Sequence, residues 1–177
     1  MKVGEKTIIE AKKKANVLWQ DKWIQVLDMG GWTIYRHTGT NKGIAILVYR
    51  DEPKGFLIRV ENVPPHGGMV ETSVTGTVEL TESLKETCSK ELAEETGYSA
   101  EPSEFKDLGF IHTSKASDFK LYMFAVDVTG KKQGELTGDG SEGEKGASVK
   151  WVDRKYAVTK VSAPSIPTMI ARLDYMG

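Results

Sequence analysis

Cysteine is almost absent, with Cys88 standing alone among 177 residues. No intramolecular disulfide can form, and no zinc site built on several cysteines is available. A single free thiol suits a reducing compartment. Histidine is scarce as well. His37, His66 and His112 share no metal-ligand spacing, so they read as turn or surface residues rather than ligands. No stretch approaches the ~18 apolar residues of a membrane-spanning helix. The opening residues, MKVGEKTIIEAKKKAN, hold too short an apolar run for the core of a signal peptide. The expectation is a cytoplasmic protein with no membrane partner. An excess of one charge is also missing. Formal net charge is −1, so no global basic field attracts nucleic acid. A polyanionic ligand would need local cations or a bound metal. Internal repeats and low-complexity tracts are absent too.

What remains is an ordinary globular composition, long enough to bury a core without staples. Residues 5–15 are rich in Lys and Glu and read as a short helix or loose arm, with Lys12, Lys13 and Lys14 on a solvated face. From Val17 onward the pattern turns to strands. Lys22–Met29 and Trp32–His37 flank Gly30-Gly31, a two-residue hairpin signal. Gly43–Arg50 reads as a buried strand, Asp51–Gly55 as a turn, and Phe56–Val63 as the next strand. Residues 64–76 read as loop or broken strand. Residues 83–96 read as a helix, because Ser83 opens a capping box with Glu86 and Gly97 suits the C′ position. Phe105–Thr113, Lys120–Thr129 and Ser148–Val152 read as strands, and 130–146 as a Gly- and Glu-rich loop. A last helix is expected from about Ser165, with Pro167 in its first turn. The class is α+β, a mixed sheet with helices and an antiparallel hairpin ahead of the main domain.

The chemistry concentrates in Gly76–Tyr98, GTVELTESLKETCSKELAEETGY. Glu91, Glu94 and Glu95 stand at i, i+3 and i+4 on one side of the expected helix. Glu91 and Glu95 fall beside Leu84 and Cys88, so the acids border the apolar stripe instead of lying opposite it. Like charges held close repel and raise each other's pKa. A divalent cation removes that penalty, and Mg²⁺ prefers hard oxygens while keeping waters for substrate phosphates to replace. Mn²⁺ accepts the same ligands. The bland alternative is a Glu-rich helix face with Lys90 and Glu94 as an ion pair.

The flanking residues weigh against the bland alternative. Five residues separate Gly76 from Glu82, seven separate Glu82 from Lys90, and Glu91-Leu92-Ala93-Glu94-Glu95-Thr96-Gly97-Tyr98 follows. This pattern resembles the Nudix box, and with it the Nudix hydrolases. The resemblance implies a mixed sheet sandwiched by helices and a metal-dependent cleavage of a diphosphate linkage. It implies Glu91 and Glu95 as metal ligands, Glu94 as ligand or catalytic group, and a backbone carbonyl of Thr75 or Gly76 as a further ligand. Two departures stand out. Lys90 replaces the usual Arg, which in the family pairs with the residue at the place of Glu82 to brace the loop; Lys keeps the charge but not the planar fork. Tyr98 replaces an aliphatic residue.

The chain ahead of the box is similar to the ADP-ribose pyrophosphatase branch. That likeness implies an N-terminal stranded subdomain over 1–40, used for homodimerisation, before a hydrolase domain over 41–177. Trp19, Trp23, Trp32 and Tyr35 would then stack on a base or pack the hairpin, with Trp23 a substrate-binding candidate. Arg59 is expected near substrate phosphates, and Glu71 resembles an acidic residue ahead of the box. Glu142 and Glu144 lie in the loop where the branch places a catalytic base or further metal ligand. The branch commonly has a Pro after the box, and His112–Ala116 has none. The best-fitting substrate is ADP-ribose, cut to AMP and ribose 5-phosphate. Alternatives are another small nucleotide, such as a nucleotide sugar, nucleoside triphosphate or capped RNA end, or a sensing module without turnover. Sensors usually lose box carboxylates, and all are present here.

Overall fold

Apolar residues on both faces make Gly43–Val48 the kind of strand that is buried from two sides. In the computed structural model, which describes residues 15–138 and 146–176, it lies at the centre of the main sheet. The strands in chain order are β1 (Asn16–Gln20), β2 (Ile24–Asp28), β3 (Thr33–His37), β4 (Lys42–Asp51), β5 (Lys54–Val63), β6 (Gly68–Thr72), β7 (Val74–Thr77), β8 (Lys106–His112), β9 (Lys120–Asp127) and β10 (Ser148–Val152). The helices are α1 (Leu84–Thr96), α2 (Arg154–Thr159) and α3 (Ser165–Met176). No described helix is long and apolar enough to cross a membrane.

The main sheet is mixed, in the order β10-β5-β4-β9-β8, with β4 and β9 parallel. Its most consequential feature is a fork. β4 and β5 pair only near their shared turn, from Val48 and Leu57 to Asp51 and Lys54. Beyond that they part, and the chain from Gly68 to Thr77 fills the opening. β6 pairs with β5, β7 pairs with β4, and Ser73 marks the crossing between them. This places Arg59 of β5 and Gly76 of β7 at the mouth of one opening.

Helices cover both faces. Ile44, Ile46 and Val48 pack with Cys88 and Leu92 of α1, while Ala45 and Leu47 pack with Met169 and Ile170 of α3. Residue alternation along β4 thus divides the core in two. Burial of a side chain such as Leu92, fully removed from solvent, contributes about 2 kcal/mol.

The N-terminal segment forms an antiparallel sheet of three strands, β1-β2-β3. The expected hairpin is β2–β3. Gly30 and Gly31 both take positive φ, and Asp28 Oδ1 accepts from both amides. β1 is added to it at the outer edge. The small sheet docks through β3, where Tyr35 N donates to Ala116 O at 2.8 Å and the His37 and Phe119 rings stand 5.1 Å apart. Residues 64–76, read as loop or broken strand, resolve into a 3₁₀ turn at Pro64–His66 and the strands β6 and β7. The short helix α2 was not expected from sequence. Its six residues leave too little periodicity, although Asp153 caps it through its side chain. Lys12, Lys13 and Lys14 lie outside the described residues.

Candidate active site

α1 starts where its sequence signals it. Ser83 N donates to Glu86 Oε2 at 2.8 Å and Glu86 N donates to Ser83 Oγ at 3.3 Å, the reciprocal capping box. It ends at Gly97, whose φ is 73°. Cys88 and Leu92 anchor the buried face against the sheet. Glu91 and Glu95 lie one turn apart and continue that face onto β7 and β5. The acids therefore point at the protein body, as their position beside the apolar stripe implies.

Glu91 lies on Gly76. A β-carbon at Gly76 would fall 2.5 Å from Glu91 Oε1, so only glycine leaves room for this carboxylate. Glu95 is buried and is held from two sides. Its Oε1 is 2.6 Å from Arg59 Nη1, and its Oε2 accepts from Thr75 N at 3.4 Å. Arg59 is itself only 3% exposed, and its Nε donates to Glu61 Oε2 at 2.8 Å. Burial pushes the Glu95 carboxyl up to about 8. Arg59 pulls it down, while Glu91 and Glu61 push it further up. Desolvation is the largest of these causes, and among the residues lining the cavity the acids outnumber the bases. Arg59, Glu61, Thr75, Gly76, Glu91 and Glu95 line one cavity of about 660 Å³, which Lys90 also borders.

The other sequence candidates are distributed more widely. Glu94 does not line that cavity; its carbonyl accepts from Gly138 N at 3.1 Å. Glu82 accepts from Thr87 Oγ1 at 3.0 Å, and among the described residues no ion pair joins it to Lys90. The shorter Thr hydroxyl one turn into α1 does the local bracing. Glu71 faces the α2 side of the sheet, where its carboxylate meets Lys150 Nζ and accepts from Tyr156 OH at 2.9 Å. It lines a second, larger cavity of about 1010 Å³ that shares Glu61, Val63, Thr75 and Leu121 with the first. Trp23 lies in the turn between β1 and β2, 66% exposed, with Lys22 Nζ over its ring. Trp19 and Trp32 are exposed as well. Glu142 and Glu144 lie outside the described residues.

Sequence reasoning missed Glu61, Lys150 and Tyr156. For Glu61 a signal existed: Leu57, Arg59 and Glu61 alternate along β5, so an Arg facing the box helix carries Glu61 with it. Lys150 and Tyr156 gave none, because their partner Glu71 is distant in sequence.

The donors suit a hard divalent cation. Carboxylate oxygens of Glu91 and Glu95 and the backbone of Thr75 and Gly76 meet in a cavity whose negative charge is only partly offset. Among the described residues, no three Asp, Glu, His or Cys side chains converge closely enough to form a ready cation cage. The site thus offers two carboxylates and open space, the form in which Mg²⁺ retains waters and takes substrate oxygens.

A model of the NUDIX domain matches residues 39–173. No curated protein matches the chain. Among solved structures, one described as an ADP compounds hydrolase superposes with a TM-score of 0.66 at 15% sequence identity, covering 92% of this chain and 91% of that one. At that identity the likeness is one of fold.

Proposed function

The chain belongs to the Nudix family, and from that premise we propose that it hydrolyses a diphosphate linkage in a nucleoside diphosphate derivative, with ADP-ribose, cut to AMP and ribose 5-phosphate, as the first candidate. The observation that carries this reading is the pairing of Glu91 over Gly76 with Glu95 on Arg59 in one cavity. It combines oxygen donors for a cation with a cation for phosphate.

Glu91 and Glu95 would hold Mg²⁺ or Mn²⁺, with a carbonyl of Thr75 or Gly76 beside them. When bound, such an ion polarises a phosphoryl oxygen and lowers the pKa of a water. Arg59 contributes a planar donor fork, suited to phosphate oxygens. Its burial means that little of that interaction is lost to solvent screening. Glu94, Glu142 and Glu144 are the candidates for the group that takes the proton from the attacking water. Glu82 lies in the loop before α1, which its hydrogen bond with Thr87 steadies, and Lys90 borders the cavity from α1. Glu71 lines the adjoining cavity, where the remainder of a long nucleotide has room.

Residues 1–40 are proposed as a dimerisation subdomain ahead of the hydrolase domain at 41–177. The support is the exposure of three tryptophans in this small subdomain, Trp19 on β1, Trp23 in the β1–β2 turn and Trp32 just before β3, since exposed large apolar side chains mark interaction surfaces. Trp23 is proposed to stack on a base across such a dimer interface.

The test is turnover of a panel with Mg²⁺: ADP-ribose, NAD, nucleotide sugars, dinucleoside polyphosphates and nucleoside triphosphates. Metal-dependent release of AMP from ADP-ribose, lost in Glu95→Gln, is the expected result. Turnover of another member alone would replace the substrate and keep the reaction class. Tight, metal-independent binding without turnover would overturn the enzyme reading.

A further inference from the structure

Arg59 serves two carboxylates through two different edges of its guanidinium. The Nε edge holds Glu61 at 2.8 Å, and Nη1 holds Glu95 at 2.6 Å. The two acids differ in attachment. Glu61 lies on the same strand as Arg59, two residues on and on the same face, so that contact is local. Glu95 comes from α1, across the cavity. A divalent cation on Glu95 would stand beside a guanidinium already in contact with the same carboxylate. In a buried site that repulsion is far stronger than in water. The two cations compete for one carboxyl group, and Arg59 has somewhere to go, because the Glu61 contact survives when Nη1 leaves Glu95.

We propose that Arg59 is the resident partner of the Glu95 carboxyl, that a divalent cation displaces it, and that Glu61 then holds the released guanidinium toward the diphosphate, so that cation and diphosphate bind cooperatively. This rests on the metal-dependent reading above. Glu61 is a positioning residue: it acts through Arg59 and keeps the guanidinium in the cavity that both line. The diphosphate supplies the negative charge that Arg59 loses when Glu95 is taken. Each ligand therefore lowers the cost of binding the other, by the same factor in both directions.

The experiment is a Mn²⁺ titration of the full chain, followed by the electron paramagnetic resonance signal of free Mn²⁺, with and without α,β-methylene-ADP. In the unaltered protein the nucleotide should tighten Mn²⁺ binding about tenfold. Arg59→Gln removes the competing charge, so Mn²⁺ alone should bind about threefold more tightly or better, and the nucleotide should add little. Glu61→Gln keeps Arg59 but frees it, and the nucleotide effect should shrink toward that of Arg59→Gln. A merely structural role for Arg59 predicts the opposite sign, weaker Mn²⁺ binding. If Arg59→Gln does not fold, judged by thermal melting, Arg59→Met carries the same test, since methionine keeps a long apolar stem and removes the charge. Mn²⁺ binding no tighter in the Arg59 variant, or an intact nucleotide effect in both variants, overturns the proposal alone. Absence of Mn²⁺ binding by the unaltered protein, with or without nucleotide, overturns the metal-dependent reading and this proposal with it.

Discussion

The carboxylate of Glu91 rests on the bare Cα of Gly76: a β-carbon there would come 2.5 Å from Oε1. Backbone of β7 and side chain of α1 thus occupy adjoining space that one methyl group would fill. Gly76→Ala should push Glu91 off its position without emptying the core. Activity should fall about 100-fold, the scale expected of a displacement near 1 Å in a catalytic group. Steady-state kinetics beside a thermal melt check this. A melt that collapses along with activity would assign Gly76 to folding instead.

Glu95 and Glu91 are expected to behave alike toward metal and unlike toward stability. Either substitution by Gln should reduce metal-dependent turnover by more than the roughly 100-fold that loss of a supporting partner costs at metal sites. Glu95 alone is buried against a buried cation. Glu95→Gln leaves Arg59 without one of its acids, so it should also shift the urea midpoint, while Glu91→Gln should not. Equal midpoints for the two variants would contradict the burial difference.

The cation-free protein should lose stability as pH rises. Burial pushes Glu95 up to about 8, against an ordinary value of 4.5. Between those values the folded chain keeps a proton that the unfolded chain has released. Stability from this group is therefore complete below 4.5 and lost as pH rises through about 8. Urea midpoints without metal at about pH 5 and about pH 9 should differ in that direction, and Glu95→Gln should flatten the difference. Unchanged slopes in the variant would mean that another group titrates.

Legibility followed locality. α1 was readable because Ser83, Glu86 and Gly97 mark its ends within one short stretch, and the spacing from Gly76 to Tyr98 announces its chemistry. β10 was readable for the same reason, with Val149, Trp151 and Val152 in a short stretch after a Gly-rich loop. The β4–β5 fork was not. Its filling strands β6 and β7 follow a Pro-Pro turn and are broken by Ser73 and Gly76, and nothing local says that one sequence run pairs with two partners. The Arg59–Glu95 contact lay equally beyond reach, since each residue is ordinary in its own element and acquires meaning only when the fork brings strand and helix together. Glu71 illustrates the reverse case. By sequence it resembles an acidic residue ahead of the box, and strand alternation turns it to the face opposite Arg59, toward Lys150 and Tyr156.

The end of α1 supplies the last prediction. A helix leaves its final carbonyls without intrahelical partners. Here the extended segment 131–138 runs across them: Gly138 N donates to Glu94 O at 3.1 Å, Gln133 Nε2 to Thr96 O at 2.8 Å and Gly134 N to Gly97 O at 2.8 Å. The approach is so close that a β-carbon on Gly97 would strike Gly134 O, and Gly97 also holds a φ of 73°. Gly97→Ala should therefore combine left-handed backbone strain of about 1–2 kcal/mol with displacement of the strap. Gln133→Ala removes one hydrogen bond alone and should cost about 1 kcal/mol. At the other end of the same helix, Ser83→Ala should also cost about 1 kcal/mol through the lost cap. Equilibrium urea unfolding ranks the three, with Gly97→Ala expected lowest. If Gly97→Ala matched Gln133→Ala, the strap would be yielding freely, and the last turn of α1, which carries Glu95, would owe its position to packing against the sheet alone.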